Sequence, residues 1–72
     1  MPRSEQRPYE RVTEDLRRRI GAEEWQQGEA LPTVAVLADH YGVSGGTVAK
    51  ALRQLAEEGL VRTVPRWGTF RA

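Results

Sequence analysis

The sequence predicts a mostly helical α+β domain: three short helices followed by a C-terminal β-hairpin. Three observations predict it. Apolar residues recur at helical spacing in three separate stretches, glycines stand where helices end, and after Gly59 the pattern changes to two short strand-like runs around a turn. At 72 residues this is one small domain, near the size at which burial alone barely stabilises a fold. Residues 1–7 read as a flexible N-terminal arm carrying Arg3 and Arg7, and residues 8–72 as the folded domain.

The first helix should run from about Pro8 to about Gly21. Tyr9, Val12, Leu16 and Ile20 share one face, Pro8 suits a first-turn position, and Gly21 closes the helix. Trp25 follows in a loop that turns at Gln27-Gly28-Glu29, and Leu31 is expected in a one- or two-residue strand before Pro32. Thr33 reads as the cap of a second helix whose Val34, Leu37, Ala38 and Tyr41 lie on one face. Gly42 can take the left-handed conformation that ends this helix, and the Ser44 hydroxyl can cap the next. Val43 and Val48 stand at the two positions of a hydrophobic staple. The third helix is expected from about Gly45 to Glu58, burying Val48, Ala51, Leu52 and Leu55, with Gly59 as its stop. Leu60–Val64 and Thr69–Arg71 then flank the turn residues Pro65-Arg66-Trp67-Gly68. Helix, turn and capped helix followed by a hairpin make a winged helix-turn-helix, in which the hairpin is the wing and covers the open side of so small a trihelical core. Tyr9, Trp25 and Phe70 are expected in the core.

Composition narrows the function classes. There are no cysteines, which removes disulfide and zinc-thiolate staples and suits a reducing compartment. No apolar run approaches the roughly 20 residues of a membrane span, and Met1–Pro8 lacks the apolar region of a signal peptide, so the expected location is the cytoplasm. The net charge is only +1, yet its sign is unevenly placed: from Ser44 to Ala72 five basic residues stand against two acidic ones. Glu23, Glu24, Glu29 and Asp39 come earlier, on what is expected to be the far side. His40 is the only histidine and has no nucleophile or metal-ligand pattern around it. Nothing supports acid–base, metal or nucleophilic catalysis, so the chain reads as a non-enzyme with no cofactor.

The chain resembles the N-terminal DNA-binding domain of the gluconate-repressor (GntR) family of bacterial transcription regulators over nearly all of residues 8–71. The residues that carry the resemblance are Gly28-Glu-Ala-Leu-Pro32, Leu37-Ala38 with Tyr41-Gly-Val-Ser44, Thr47-Val48 with Ala51-Leu52, Leu55, Glu58-Gly-Leu-Val61, and Gly68-Thr-Phe70. The resemblance implies a regulator, a repressor, whose third helix enters the major groove of double-stranded DNA while the wing tip touches the minor groove. It departs from the family pattern at contact positions. Ala35 stands where a second-helix arginine is usual, Gly45 and Ala49 where arginines often stand on the recognition helix, Arg66 at the first glycine of the wing's Gly-x-Gly-Thr-Phe, and Arg71 at an apolar strand position.

The candidate DNA-contact residues follow. Ser44 and Thr47 can bond phosphate or base edges from the helix start, although Ser44 is also the cap. Gly45 and Gly46 weaken a helix and, lacking side chains, would let DNA approach its free N–H groups; alternatively they mark a position no longer used. Lys50, three residues after Thr47, can point into the groove, with Arg53 one turn on at phosphate. Thr47 and Lys50 are the best candidates for base-edge readout. At the wing tip Arg66 can enter the minor groove and Trp67 pack on sugar or fold back on the sheet, with Gly68 completing the tip. Arg17-Arg18-Arg19 reads as a solvated face. The rival reading, from a different class, is a protein-interaction module with weak or lost DNA binding. Because the resembled regulators dimerise through a further domain not represented in these residues, the 72-residue chain is expected to be a monomer in free solution, two copies assembling on a palindromic operator. Sedimentation equilibrium should return a monomer at micromolar concentration; a stable dimer would contradict it.

Overall fold

The computed structural model describes residues 7–72, so most of the expected N-terminal arm, including Arg3, lies outside the described residues. The order is α1 (Pro8–Gly21), α2 (Val34–Tyr41), α3 (Gly45–Glu57), β1 (Val61–Val64) and β2 (Gly68–Arg71). The strands pair antiparallel with Val61 opposite Arg71 and Val64 opposite Gly68. This is the predicted winged helix-turn-helix. Among the described residues no helix is long and apolar enough to cross a membrane.

Each helix ends where its backbone groups find partners. Pro8 opens α1, and the Glu10 carboxylate accepts the Arg7 backbone N–H at 2.9 Å. The α1 helix ends at Gly21 as expected, but Gly21 does not itself make the left-handed turn. The chain runs through it to Ala22, and Glu23 takes the left-handed position, at φ +62°, while the Glu24 N–H reaches back to the Arg19 carbonyl. Gly42, at φ +68°, ends α2 as predicted, and the following Val43 N–H bonds the Ala38 carbonyl. The third helix stops one residue earlier than expected, at Glu57, because Glu58 forms the cap and Gly59 makes the left-handed turn.

Val12, Leu16 and Ile20 of α1 meet Leu37 of α2 and Val48, Ala51, Leu52 and Leu55 of α3, with Trp25, Leu31 and Val61 closing the sides. A buried leucine of this kind is worth about 2–5 kcal/mol against alanine, so almost any one of them is needed by so small a domain. Three expectations about the core are corrected. Tyr9 is half-buried at the start of α1. Phe70 is half-buried as well, since it pairs with Arg62 on the outer face of the hairpin while Val61 and Thr69 take the inner one. Val34 is 38% exposed and outside the cluster, at the rim of an open groove beside Ala49, Leu52 and Ala56 of α3. The short bridge before α2 falls at Ala30, opposite Phe70, and not at Leu31; Leu31 instead sends its side chain into the core and its N–H to the Thr69 carbonyl.

Arg17 and Arg18 of the arginine triplet are exposed, as a solvated face requires, but all three arginines are engaged in ion pairs. Arg17 grips Glu58 through Nε and Nη2, at 2.8 and 2.6 Å, tying α1 to the end of α3. Arg18 pairs with Asp15, and Arg19 bonds Glu24 and the Tyr41 hydroxyl while lying over the Trp25 ring. The Tyr41 hydroxyl in turn donates to Asp15. Arg17, with Gln54, holds the Glu58 carboxyl at about 2, down from 4.5, and the Tyr41 and Arg18 hydrogen bonds lower Asp15 too. With folded values below the unfolded ones, the unfolded chain takes up more protons in acid, so this stabilisation is complete above about pH 4.5 and is lost as pH falls toward 2. Thermal melts should therefore show Glu58→Gln flattening the decline in melting temperature between pH 5 and 3 (roughly the window of carboxylate titration); an unchanged slope would mean the pair contributes nothing.

Candidate nucleic-acid interface

The start of α3 is built by Ser44 at the N-cap. Its Oγ accepts the Thr47 backbone N–H at 3.1 Å and donates to Thr47 Oγ1 at 3.0 Å. The cap reading of Ser44 is therefore met, and the Thr47 hydroxyl, already accepting, keeps its own proton to donate outward. Val48, Ala51, Leu52 and Leu55 face the core, so helical geometry turns Gly46, Ala49, Lys50 and Arg53 to the opposite side, where all four are exposed. Thr47 lies between the two faces, half-buried on the α1 side.

Gly45 and Gly46 are not required by the fold. Neither has a positive φ; a Cβ at Gly45 would meet the Val34 side chain at 3.5 Å and one at Gly46 only Ser44 Oγ at 3.9 Å, both ordinary contacts. Each still costs up to about 1 kcal/mol of helix stability against alanine, less in a first turn. Beside them the first turn of α2 is apolar and open, with Val34, Ala35 and Val36 exposed, Val36 by 56%. Arg53 rims the groove that this turn forms with Ala49, Leu52, Ala56, Thr63 and Thr69.

At the wing tip the Trp67 N–H closes a turn onto the Val64 carbonyl at 3.0 Å, with Pro65 and Arg66 between. Arg66 sits at φ +72° in the position a type II turn gives to glycine. Its guanidinium is thus projected from a strained backbone, at a cost of about 1 kcal/mol or more. Trp67 does not fold back: it is 78% exposed, beside the shallow outer face that Arg62, Val64 and Phe70 form with Gly28. Gly68 follows at φ +117° and begins β2.

The structure thus brings Ser44, Gly45, Gly46, Thr47, Lys50 and Arg53 together at the start and outer face of α3, and places Arg66, Trp67 and Gly68 together at the wing tip. Lys50, Arg53, Arg62 and Arg66 pair with no carboxylate among the described residues, whereas the α1 triplet is fully engaged. Two features escaped the sequence. Arg62 is exposed on the outer wing face, a placement that follows from strand alternation once Val61 is known to be buried. The other is Tyr9, whose ring lies under the Lys50 ammonium; 41 residues separate the two in the chain, and no local pattern joins them. Arg71, at its unusual strand position, is accounted for by a hydrogen bond from Nη1 to the Trp25 carbonyl at 2.9 Å. His40 is exposed and edge-on to Tyr41, and no His, Cys, Asp or Glu group among the described residues is placed to hold a metal.

A helix-turn-helix with an exposed second helix, backed by a hairpin wing, defines the winged helix-turn-helix class of domain. Within that class the profile of the bacterial regulatory proteins of the gntR family matches residues 8–70, and the chain belongs to this family. It is 37% identical over 62 residues to the mannosyl-D-glycerate transport/metabolism system repressor MngR of Escherichia coli (strain K12), covering 86% of this chain and 26% of that protein. The histidine utilization repressor of Klebsiella aerogenes is 36% identical over 72 residues, covering 99% of this chain and 30% of that one. The chain thus spans less than a third of either relative. Among solved structures, the AraR DNA-binding domain in complex with operator ORX1 aligns at a TM-score of 0.93 with 29% identity, over 100% of this chain and 87% of that one.

Arg66→Gly should relieve the wing-tip strain and raise unfolding stability by about 0.5–1 kcal/mol, since the lost strain outweighs the added chain entropy. Urea denaturation reads the change directly; a destabilised variant would show that the Arg66 side chain makes up for its backbone.

Proposed function

We propose that this domain is the DNA-binding unit, residues 8–72, of a cytoplasmic transcription regulator, a repressor, that binds double-stranded DNA with α3 in the major groove and the wing against the minor groove. The observation that carries the reading is that the cations of α3 and the wing stand exposed without an ion pair among the described residues: Lys50 and Arg53 on the outer face of α3, Arg62 and Arg66 on the wing. Charge left free on these elements suits counterion release from phosphate, which supplies most of the affinity in such interfaces. The likeness to the AraR domain in its operator complex, and to two proteins described as repressors, supports the same reading.

In this reading Ser44 caps α3, Gly45 and Gly46 let the DNA approach the positive end of the helix, and Thr47 donates its hydroxyl proton to a phosphate or base edge. Lys50 and Arg53 supply charge along the groove, Arg66 enters the minor groove, and Trp67 packs on sugar beside Gly68. Two copies assemble on a palindromic site. The absence of a hydrogen-bonding side chain at Gly45, Ala35 and Ala49, where the resembled family often carries arginine, means that the operator read by this chain differs from theirs in sequence.

Lys50→Ala and Arg66→Ala should each weaken duplex binding while leaving the domain folded. Each should also lower the slope of log K against log salt by about one. Fluorescence anisotropy across a salt series measures both quantities. If neither variant changes affinity and circular dichroism shows both folded, the protein-interaction reading takes over.

A further inference from the structure

We propose that Tyr9 is a positioning residue for DNA binding: its ring holds the Lys50 ammonium on the α1 flank of α3 and directs it to a backbone phosphate instead of to base edges. The proposal rests on the DNA-binding reading above and assigns one of its contacts. Lys50 Nζ lies 4.2 Å from the centroid of the Tyr9 ring, within the range where the negative face of an aromatic ring attracts a cation. Lys50 is exposed and has no carboxylate partner among the described residues, so the ring is what restrains it.

The platform itself is well fixed. Tyr9 is half-buried in the first turn of α1, and its carbonyl accepts the hydroxyl of buried Thr13 at 2.6 Å. Its ring sits at the head of the groove between α1 and α3 that Thr13, Arg17 and Gln54 also line. A lysine has four rotatable side-chain bonds, and ordering them on binding has a cost that a preformed perch reduces. A carboxylate would hold the ammonium as well, but would cancel its charge. An aromatic ring leaves the full charge for a phosphate.

Direction follows from the helix. At 100° per residue, Gly46 lies at the centre of the exposed face, with Lys50 and Arg53 about equally far to either side of it, Lys50 toward Thr47 and α1, and Ala49 farther round on the wing side. The Tyr9 ring then draws the Lys50 ammonium further toward α1. A helix in the major groove meets bases along its centre and phosphates along its flanks. Lys50 drawn onto Tyr9 is therefore a phosphate contact, and the base-facing surface falls to Gly46 and Arg53.

The test uses a duplex enriched by the wild-type domain from a random library, beside a mixed-sequence duplex. Lys50→Ala should weaken both by the same factor; a loss confined to the enriched duplex would make Lys50 a base reader and overturn the proposal. Tyr9→Ala should weaken binding by about two- to five-fold, Tyr9→Phe should keep wild-type affinity, and the Tyr9→Ala effect should vanish in a Lys50→Ala background. Additive losses, or Tyr9→Phe as weak as Tyr9→Ala, would also overturn it. In the free domain the Lys50 ε-methylene proton resonances should be shifted upfield by the ring and return to ordinary values in Tyr9→Leu, which keeps an apolar side chain should the alanine variant fail to fold. An unshifted ε-methylene in the wild type sinks the proposal without reference to DNA. A wild-type domain that binds no duplex sinks the DNA-binding reading itself.

Discussion

Everything in this domain hangs on one buried stripe. Val48, Ala51, Leu52 and Leu55 of α3 fill the space between α1, α2 and the hairpin, and among the described residues no second core shares the burden. Because that stripe takes one face of α3 and no other described element packs on the far side, the opposite face is left to solvent for its full length. The exposed face of α3 is thus the geometric remainder of the core, and its rotational setting is fixed to within what close packing tolerates.

Polar contacts then sort the charge. Asp15, Tyr41, Arg19, Glu24 and Trp25 form a connected set that pins α1 to α2 and to the loop after α1, and Arg17 with Glu58 pins α1 to the end of α3. Each pair is exposed enough that its contribution to stability is small. Their larger consequence is spatial: they engage Arg17, Arg18 and Arg19 of α1, though not Arg11, while Lys50, Arg53, Arg62 and Arg66 on α3 and the wing stay without a carboxylate partner among the described residues. A near-neutral chain thereby presents a basic working surface.

Apart from Glu23 after α1, the places where local rules are broken lie on that same surface. Two glycines open α3 without conformational need, an arginine occupies a left-handed turn position, and three small apolar residues start α2 in the open. Departures from local preference that lower stability and gather on one face are the pattern expected of a functional surface.

The helices, their caps and the hairpin were legible in the sequence because they depend on short-range chemistry: apolar spacing of three and four, hydroxyls at Thr33 and Ser44, and left-handed glycines at 42 and 59. The family resemblance rests on the same local motifs. What local chemistry could not reveal needed residues distant in the chain. Gly21 looked like a stop, yet the left-handed turn fell to Glu23, where the chain must bend to bring Trp25 onto the core. Phe70 looked like core, but the burial of Val61 and Thr69 sets the strand phase and turns Phe70 outward. The partners of the arginine triplet were hidden in the sequence because Glu58 and Tyr41 arrive only when α3 and α2 dock. Lys50 could be placed on an exposed face from periodicity alone, whereas its seat over Tyr9 required the packing of α1 against α3. Periodicity assigns a side chain to a face, and only the packing of a second helix decides what stands beside it.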